Sequence, residues 1–184
     1  MLGLQGDVRE HAHALEAAGA TAVVVRRAEQ LDDVDALVIP GGESTTIGLL
    51  LDRYGLLGPL RERVAGGLAL FGTCAGLILM ARTLRGPHDA PHRLGVLDVA
   101  VRRNAYGRQV DSFETELAVT GLDRPLRAAF IRAPLIEEVG PEVEVLARHE
   151  GVPVLVRQGR LMAASFHPEL TGDERIHAMF IAGI

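Results

Sequence analysis

The chain has 184 residues, 48% of them hydrophobic, which suits one domain spanning 1–184 with a core of its own and excludes disorder by composition. Its formal net charge of −5, without a Lys/Arg-rich run or an aromatic stacking platform, argues against nucleic acid as a partner. No apolar run reaches the roughly 18 residues of a membrane helix, the start lacks a signal-peptide pattern, and the single cysteine, Cys74, excludes an intrachain disulfide, so the expectation is a cytoplasmic protein with no membrane partner.

Met1-Leu2-Gly3-Leu4 is apolar but short for a central strand; either the first strand is abbreviated or the chain begins late. Val8, Ala12, Leu15 and Gly19 recur at helical spacing, with Gly19 as the stop. Ala22-Val23-Val24-Val25 reads as a buried strand, and Ala36–Ile39 as another that runs into the turn Pro40-Gly41-Gly42. Helices are predicted around Thr45–Arg53 and near Leu60–Ala65. The strand Leu68–Phe71 then ends at Gly72, and a helix runs from near Cys74 to about Ala81. Continuous apolar strands alternating with helices predict a parallel sheet covered on both faces.

The second half is strand-rich. Gly95–Val101, Gln109–Val119, Ala128–Arg132, Val143–His149, Val152–Arg157 and Leu161–Phe166 read as strands, with hairpin turns at Glu150-Gly151 and Gln158-Gly159. Thr171-Gly172-Asp173-Glu174 has capping-box spacing for a last helix. The fold expected is one α/β domain with a mixed sheet.

Three segments carry chemistry. Gly72-Thr73-Cys74-Ala75-Gly76 joins a buried strand to an apolar helix, the context of a nucleophile elbow. A cysteine there sits where the helix dipole favours thiolate, and the Ala75 N–H would face an oxyanion beside it. The bland reading is an inert buried cysteine between packing glycines. Ser165-Phe166-His167-Pro168-Glu169 offers a base and a carboxylate two residues apart, which in an extended segment share a face. Alone, His-Pro-Glu is more often a surface turn. Pro40-Gly41-Gly42-Glu43-Ser44 offers backbone N–H groups for an anion, or simply a turn with Ser44 as N-cap. No Gly-Lys-Ser/Thr follows, so it is not a phosphate loop. His11 and His13 point to different faces of a helix, His88 and His92 lie in a Pro-rich loop, and His149 and His177 have no paired ligands. Neither a metal nor a cofactor is expected.

Taken together, Gly72–Gly76, Pro40–Ser44 and Ser165–Leu170 resemble the class I (triad) glutamine amidotransferases, in chain order Cys, His, Glu. Within that class the chain closely resembles the glutaminase subunit of pyridoxal 5′-phosphate synthase. Leu2–Gly6, Thr45-Thr46-Ile47, the stretch Arg103–Glu114 and Phe130–Pro134 carry that closer likeness, which covers nearly the whole chain. Members of that family carry a few more residues before Leu2, in keeping with a late start. The resemblance implies a three-layer, flavodoxin-like fold with a mixed, largely parallel central sheet. It implies Cys74 as nucleophile, His167 as base and Glu169 as its orienter. It also implies glutamine binding by Gly42, Glu43, Ser44, Arg103, Ile131 and Arg132, and an oxyanion site at the Gly42 and Ala75 N–H groups. For Arg103 and Arg132 the residues alone would suggest ordinary solvated charges.

The implied activity is hydrolysis of L-glutamine to L-glutamate and ammonia, passed to a synthase subunit in a hetero-oligomer that makes pyridoxal 5′-phosphate. The family also implies weak activity without that synthase. The alternatives are the glutaminase of another amidotransferase, such as that of histidine biosynthesis, a cysteine hydrolase or chaperone-like relative of the same broad fold, and a non-catalytic scaffold. The Arg103–Glu114 stretch favours the vitamin B6 family over the first of these.

Overall fold

The structure is a computed structural model that describes residues 1–86, 91–103 and 112–184. Along the chain run α1 (Val8–Ala17), β1 (Ala36–Ile39), α2 (Ser44–Arg53), α3 (Leu57–Ala65), β2 (Ala69–Thr73), α4 (Ala75–Met80), β3 (Ala81–Arg85), β4 (Leu97–Arg102), β5 (Ser112–Leu117), β6 (Leu126–Ile131), β7 (Leu135–Val139), β8 (Glu144–His149), β9 (Val152–Gln158), β10 (Leu161–Ala164) and α5 (Arg175–Ile181). The central sheet has five strands in the order β1-β2-β10-β9-β8. β1, β2 and β10 run parallel, whereas β10, β9 and β8 are antiparallel neighbours. Smaller sheets β3-β4-β7 and β5-β6 complete the fold.

The central strands read as unbroken apolar runs because both of their faces are covered. Leu37, Ile39, Leu70, Val156 and Ala163 face a core shared with Ile47 and Leu51 of α2, Leu60 of α3 and Leu77 of α4. Their alternates Val38, Phe71, Leu155, Met162 and Ala164 face a second core with Leu15 of α1 and Ile176 and Phe180 of α5. Strand alternation thus makes three layers, as expected from the sequence.

Several expectations need correcting. Ala22–Val25 is not a buried strand: Val23 is 44% exposed, and only Val25 is buried, through a single parallel bridge to Leu2. The segment borders the outermost edge, where only every other side chain can reach the core. The helix after Cys74 runs to Met80, as expected, and β3 begins at once by pairing with β4. β3 and β7 are not evident from sequence, because Ala81–Arg85 and Leu135–Val139 mix charged and apolar residues. Thr171 does not cap α5; its hydroxyl donates to the Pro168 carbonyl, and Asp173 accepts from the Arg175 N–H instead. Glu150-Gly151 does form a hairpin turn, with both residues at positive φ. The second turn lies one residue later than its sequence suggests, since β9 includes Gln158 and Gly159 has a φ of 57°. His88, Asn104–Asp111 and the predicted strand start at Gln109 lie outside the described residues.

The turn from β2 into α4 is strained at Cys74 itself, with φ 48° and ψ −99°. Its flanking glycines serve a different need, close packing. A Cβ on Gly76 would stand 2.3 Å from the Ile39 carbonyl oxygen, and one on Gly72 would stand 2.6 Å from the Gly76 carbonyl carbon. Both obstacles are backbone, so neither can swing aside. Gly76→Ala should therefore cost about 1–3 kcal/mol, as overpacking does, and lower the urea midpoint of unfolding; an unchanged midpoint would show that α4 can move off β1 freely.

Candidate active site

Three neighbouring parallel strands end on one side of the sheet, and each delivers a segment to the same place. β1 leads to Pro40-Gly41-Gly42, β2 to Cys74, and β10 to His167, three residues beyond Ala164. Ligand sites of open α/β sheets form at such carboxyl ends. Cys74 is tied down by its N–H, which donates to the Ala164 carbonyl at 2.8 Å. His167 is tied by its N–H to the Ala129 carbonyl, also at 2.8 Å, which anchors it to β6.

The imidazole of His167 joins the other two residues. Its Nδ1 lies 2.7 Å from Glu169 Oε1, and Cys74 is close enough to bear on the charge of the ring. All three side chains are buried or nearly so. The His-Pro-Glu segment is not extended, contrary to the expectation from its spacing. Pro168–Leu170 form one 3-10 turn. Proline fits the first position of such a turn because its missing N–H has no partner there to lose. The tight turn brings the Glu169 carboxylate back onto the ring.

Burial disfavours charge on His167, but the neighbouring Asp7, Cys74 and Glu169 outweigh it and raise its pKa to about 12. Loss of solvent pushes Glu169 upward, while the His167 contact draws it back. The upward shift of His167 governs the pair: the proton stays on Nδ1, and the carboxylate accepts its hydrogen bond. Asp7 Oδ2 also approaches Nδ1, at 3.4 Å. Asp7, His167 and Glu169 bring one potential metal-ligand atom each within 4.8 Å of one another. A proton on Nδ1 removes the lone pair that a metal would need there.

The glycine turn is held from below. The Glu43 N–H donates to Gln5 Oε1 at 2.9 Å, and the Gly41 carbonyl accepts from the Asp7 N–H at 3.3 Å. Gly42 has φ 146°, and a Cβ there would strike Gln5 Oε1. Glu43, not Ser44, caps α2, accepting from the Thr45 and Thr46 N–H groups at 3.0 and 2.7 Å. Burial opposes its charge, yet those bonds hold its carboxyl below the usual range. Ser44 becomes the first helical residue and is buried. Arg103 is half-committed: its guanidinium donates to Glu43 Oε1 at 3.1 Å and Thr45 Oγ1 at 3.2 Å.

The Ile131 carbonyl lies 4.0 Å from Cys74 Sγ. Arg132 follows with φ 46°, exposed and, among the described residues, without an ion pair. Ala75 opens α4 directly beside the cysteine.

A buried cluster that the sequence patterns do not reveal lies behind the carboxylate. His11 Nδ1 lies 2.9 Å from His177 Nε2, and His11 Nε2 lies 2.9 Å from Thr73 Oγ1 and 3.3 Å from Glu169 Oε2. Both histidines are fully buried. A signal was present: His11 shares the inward stripe of α1 with Val8, Ala12 and Leu15, and His177 sits beside Ile176 on the inward side of α5. A histidine on an apolar stripe must find polar partners inside. His177, for which the sequence offered no paired group, is thus partnered by His11.

Burial depresses His177 to about 4. A depressed histidine contributes stability above the unfolded value near 6.5, and loses it as pH falls toward the folded value. The loss between those limits is on the order of 3 kcal/mol. Urea unfolding followed from pH 7 to 4 should show stability falling by up to one proton's slope more than in His177→Leu; parallel curves would contradict the assignment.

The SNO glutamine amidotransferase family matches the chain over residues 1–184. The chain is 58% identical to the pyridoxal 5′-phosphate synthase subunit PdxT of Acidothermus cellulolyticus over 188 aligned positions, 99% of this chain and 91% of that one. It is 53% identical to the protein of the same name from Bacillus velezensis, over 98% of this chain and 91% of that one. A crystal structure of a glutamine amidotransferase superposes with a TM-score of 0.93 at 54% identity, covering 98% of this chain and 95% of that one. A putative GMP synthase component from Thermoplasma acidophilum, at 18% identity and TM-score 0.69 over 98% of this chain and 90% of that one, shares the fold. With matches of this extent and identity, the chain belongs to the SNO glutamine amidotransferase family.

Proposed function

We propose that the protein hydrolyses L-glutamine to L-glutamate and ammonia with Cys74, His167 and Glu169, and passes the ammonia to the synthase subunit of a pyridoxal 5′-phosphate synthase. The observation that carries the reading is the His167 ring, held at 2.7 Å by Glu169 at the same strand ends that present Cys74 on its strained turn. The partner follows from the name that relatives more than half identical bear.

The chemistry runs in two stages. The proton of Cys74 passes to His167 before substrate is attacked, since the neighbours of that ring favour its charged form, and the sulfur attacks the side-chain carbonyl carbon of glutamine as a thiolate beside the imidazolium. Glu169 and Asp7 favour the imidazolium that forms. The tetrahedral oxyanion is received by the Ala75 N–H and by the Gly42 turn. The C–N bond then breaks as His167 returns its proton to the leaving nitrogen, which departs as ammonia. Water gives a proton to His167 and attacks the glutamyl thioester; the C–S bond breaks, glutamate leaves, and Cys74 regains the proton.

Substrate contacts fall to Gly42, Glu43, Ser44, Ile131 and the two arginines. Arg132, whose guanidinium has no ion pair among the described residues, suits the α-carboxylate of glutamine. Arg103 braces Glu43 and thereby the turn. Ammonia in water at neutral pH is mostly ammonium and not nucleophilic, so delivery has to be direct.

Ammonia release in the presence of the synthase should fall on the order of 10⁴-fold or more in Cys74→Ala; comparable release by the variant would end the assignment. The Gly41-Gly42 turn is engaged by Gln5 and Asp7, which supports a second expectation: docking of the synthase resets the turn. Turnover should rise strongly when the synthase is added. Equal rates with and without it would contradict the resetting.

A further inference from the structure

The buried cluster behind Glu169 is larger than a three-residue mechanism requires. Glu169 presents two oxygens to the interior. His167 Nδ1 occupies Oε1, whereas Oε2 is buried and has no hydrogen bond of its own among the described residues. His11 Nε2 stands 3.3 Å from that oxygen.

The geometry also fixes the protons. Burial keeps His11 well below its ordinary pKa and His177 at about 4, so both rings are neutral at pH 7 and each carries one N–H. Only one of the two nitrogens that meet at 2.9 Å can be the donor. If His11 donated through Nδ1, its bare Nε2 lone pair would face the Glu169 carboxylate and repel it. If His177 donates through Nε2, His11 Nδ1 accepts and His11 Nε2 carries a hydrogen that it shares with Thr73 Oγ1 at 2.9 Å, with Glu169 Oε2 lying 3.3 Å from the same nitrogen. His177 Nδ1 then holds a lone pair rather than an orphaned N–H; it has no partner among the described residues.

We propose that His11 is a positioning residue for the triad: oriented by His177 and Thr73, it presents the polar N–H edge of its ring to Oε2 of Glu169 at 3.3 Å, an electrostatic hold that supplements the hydrogen bond of His167 to Oε1. A carboxylate hydrogen-bonded at Oε1 and attracted at Oε2 resists rotation when His167 moves its proton toward substrate. α1 and α5 thus act on the reaction through the carboxylate, without touching glutamine. This inference rests on the glutaminase reading above and deepens it.

The titratable and charged groups around Glu169 are Asp7, Glu10, His11 and His13 from α1 and its N-cap, His167 from its own segment, and Asp173, Glu174 and His177 from α5 and its approach. Glu10, His13, Asp173 and Glu174 line a shallow cleft that opens to solvent beside Glu169. Of the inner groups among the described residues, His11 is the one whose ring nitrogen lies 3.3 Å from Oε2.

The test uses the complex with synthase and two variants. His11→Met keeps the length and apolar fit but removes the donor; His11→Gln restores an amide N–H near the place of Nε2. Glutamine turnover is measured from pH 5 to 9, with folding checked by urea midpoint. His11→Met should lose kcat on the order of tenfold to a hundredfold, the usual cost of losing an outer partner that orients a functional group, with KM little changed. Its acid limb should move to higher pH, because Glu169 deprived of a donor protonates more readily. His11→Gln should recover most of kcat and the original limb. Wild-type kcat and acid limb in His11→Met would overturn the proposal, as would equal impairment of both variants with unmoved pH profiles, which marks a packing role. The glutaminase reading fails separately: the unaltered complex would then release no ammonia, and the proposal would be judged by iodoacetamide alkylation of Cys74. In that case the pH profile of alkylation should move in His11→Met and not in His11→Gln, and an unmoved profile in both would overturn it.

Discussion

The short contact between His167 Nδ1 and Glu169 Oε1, 2.7 Å in length, is the interaction on which the rest of the site depends. It ties Nδ1 to the carboxylate, and so leaves Nε2 to serve Cys74. An imidazole free to rotate or to change tautomer would be no base for that thiol. Burial makes the contact strong, since water cannot compete for either partner, and the same burial makes each partner costly without the other.

The fold supplies the constraint through strand order. β10 lies beside β2, so the end of one strand holds the end of the other: the Ala164 carbonyl accepts from the Cys74 N–H. The first side chain needed after β10 is then only three residues away, and β6 pins it from the opposite side through Ala129. The cysteine keeps a strained backbone, and Gly72 and Gly76 let α4 lie close enough to β1 and β2 to hold it there. The site is thus assembled by the parallel half of the sheet. The antiparallel half, β9 and β8, completes the cover of the two cores and delivers no residue of the triad.

Much of this was legible in the sequence, for identifiable physical reasons. β1, β2 and β10 announced themselves because strands buried on both faces cannot alternate with polar residues. The elbow was legible because a cysteine flanked by glycines at a strand-to-helix junction has few other uses. Ala22–Val25 misled by the same rule, since composition does not say whether a strand will be central or marginal. β3 and β7 were hidden by side chains that match a half-exposed surface. His167 and Glu169 were paired for the wrong reason: the expected extended segment is a helical turn, and proline permits either. The contacts of Gln5, Asp7, Thr73, His11 and His177 were not legible because their partners lie far away in sequence. His11 meets His177 across 166 positions, a distance that no local periodicity spans.

The most direct test of the central claim is the proton on the His167 ring. Proton and nitrogen magnetic resonance of the labelled protein should show a downfield ring proton on Nδ1, with the ring remaining protonated through neutral pH, as a pKa of about 12 requires. That resonance should vanish or move sharply upfield in Glu169→Gln. A ring that titrates near pH 6.5, indifferent to the loss of the carboxylate, would contradict the account at its root.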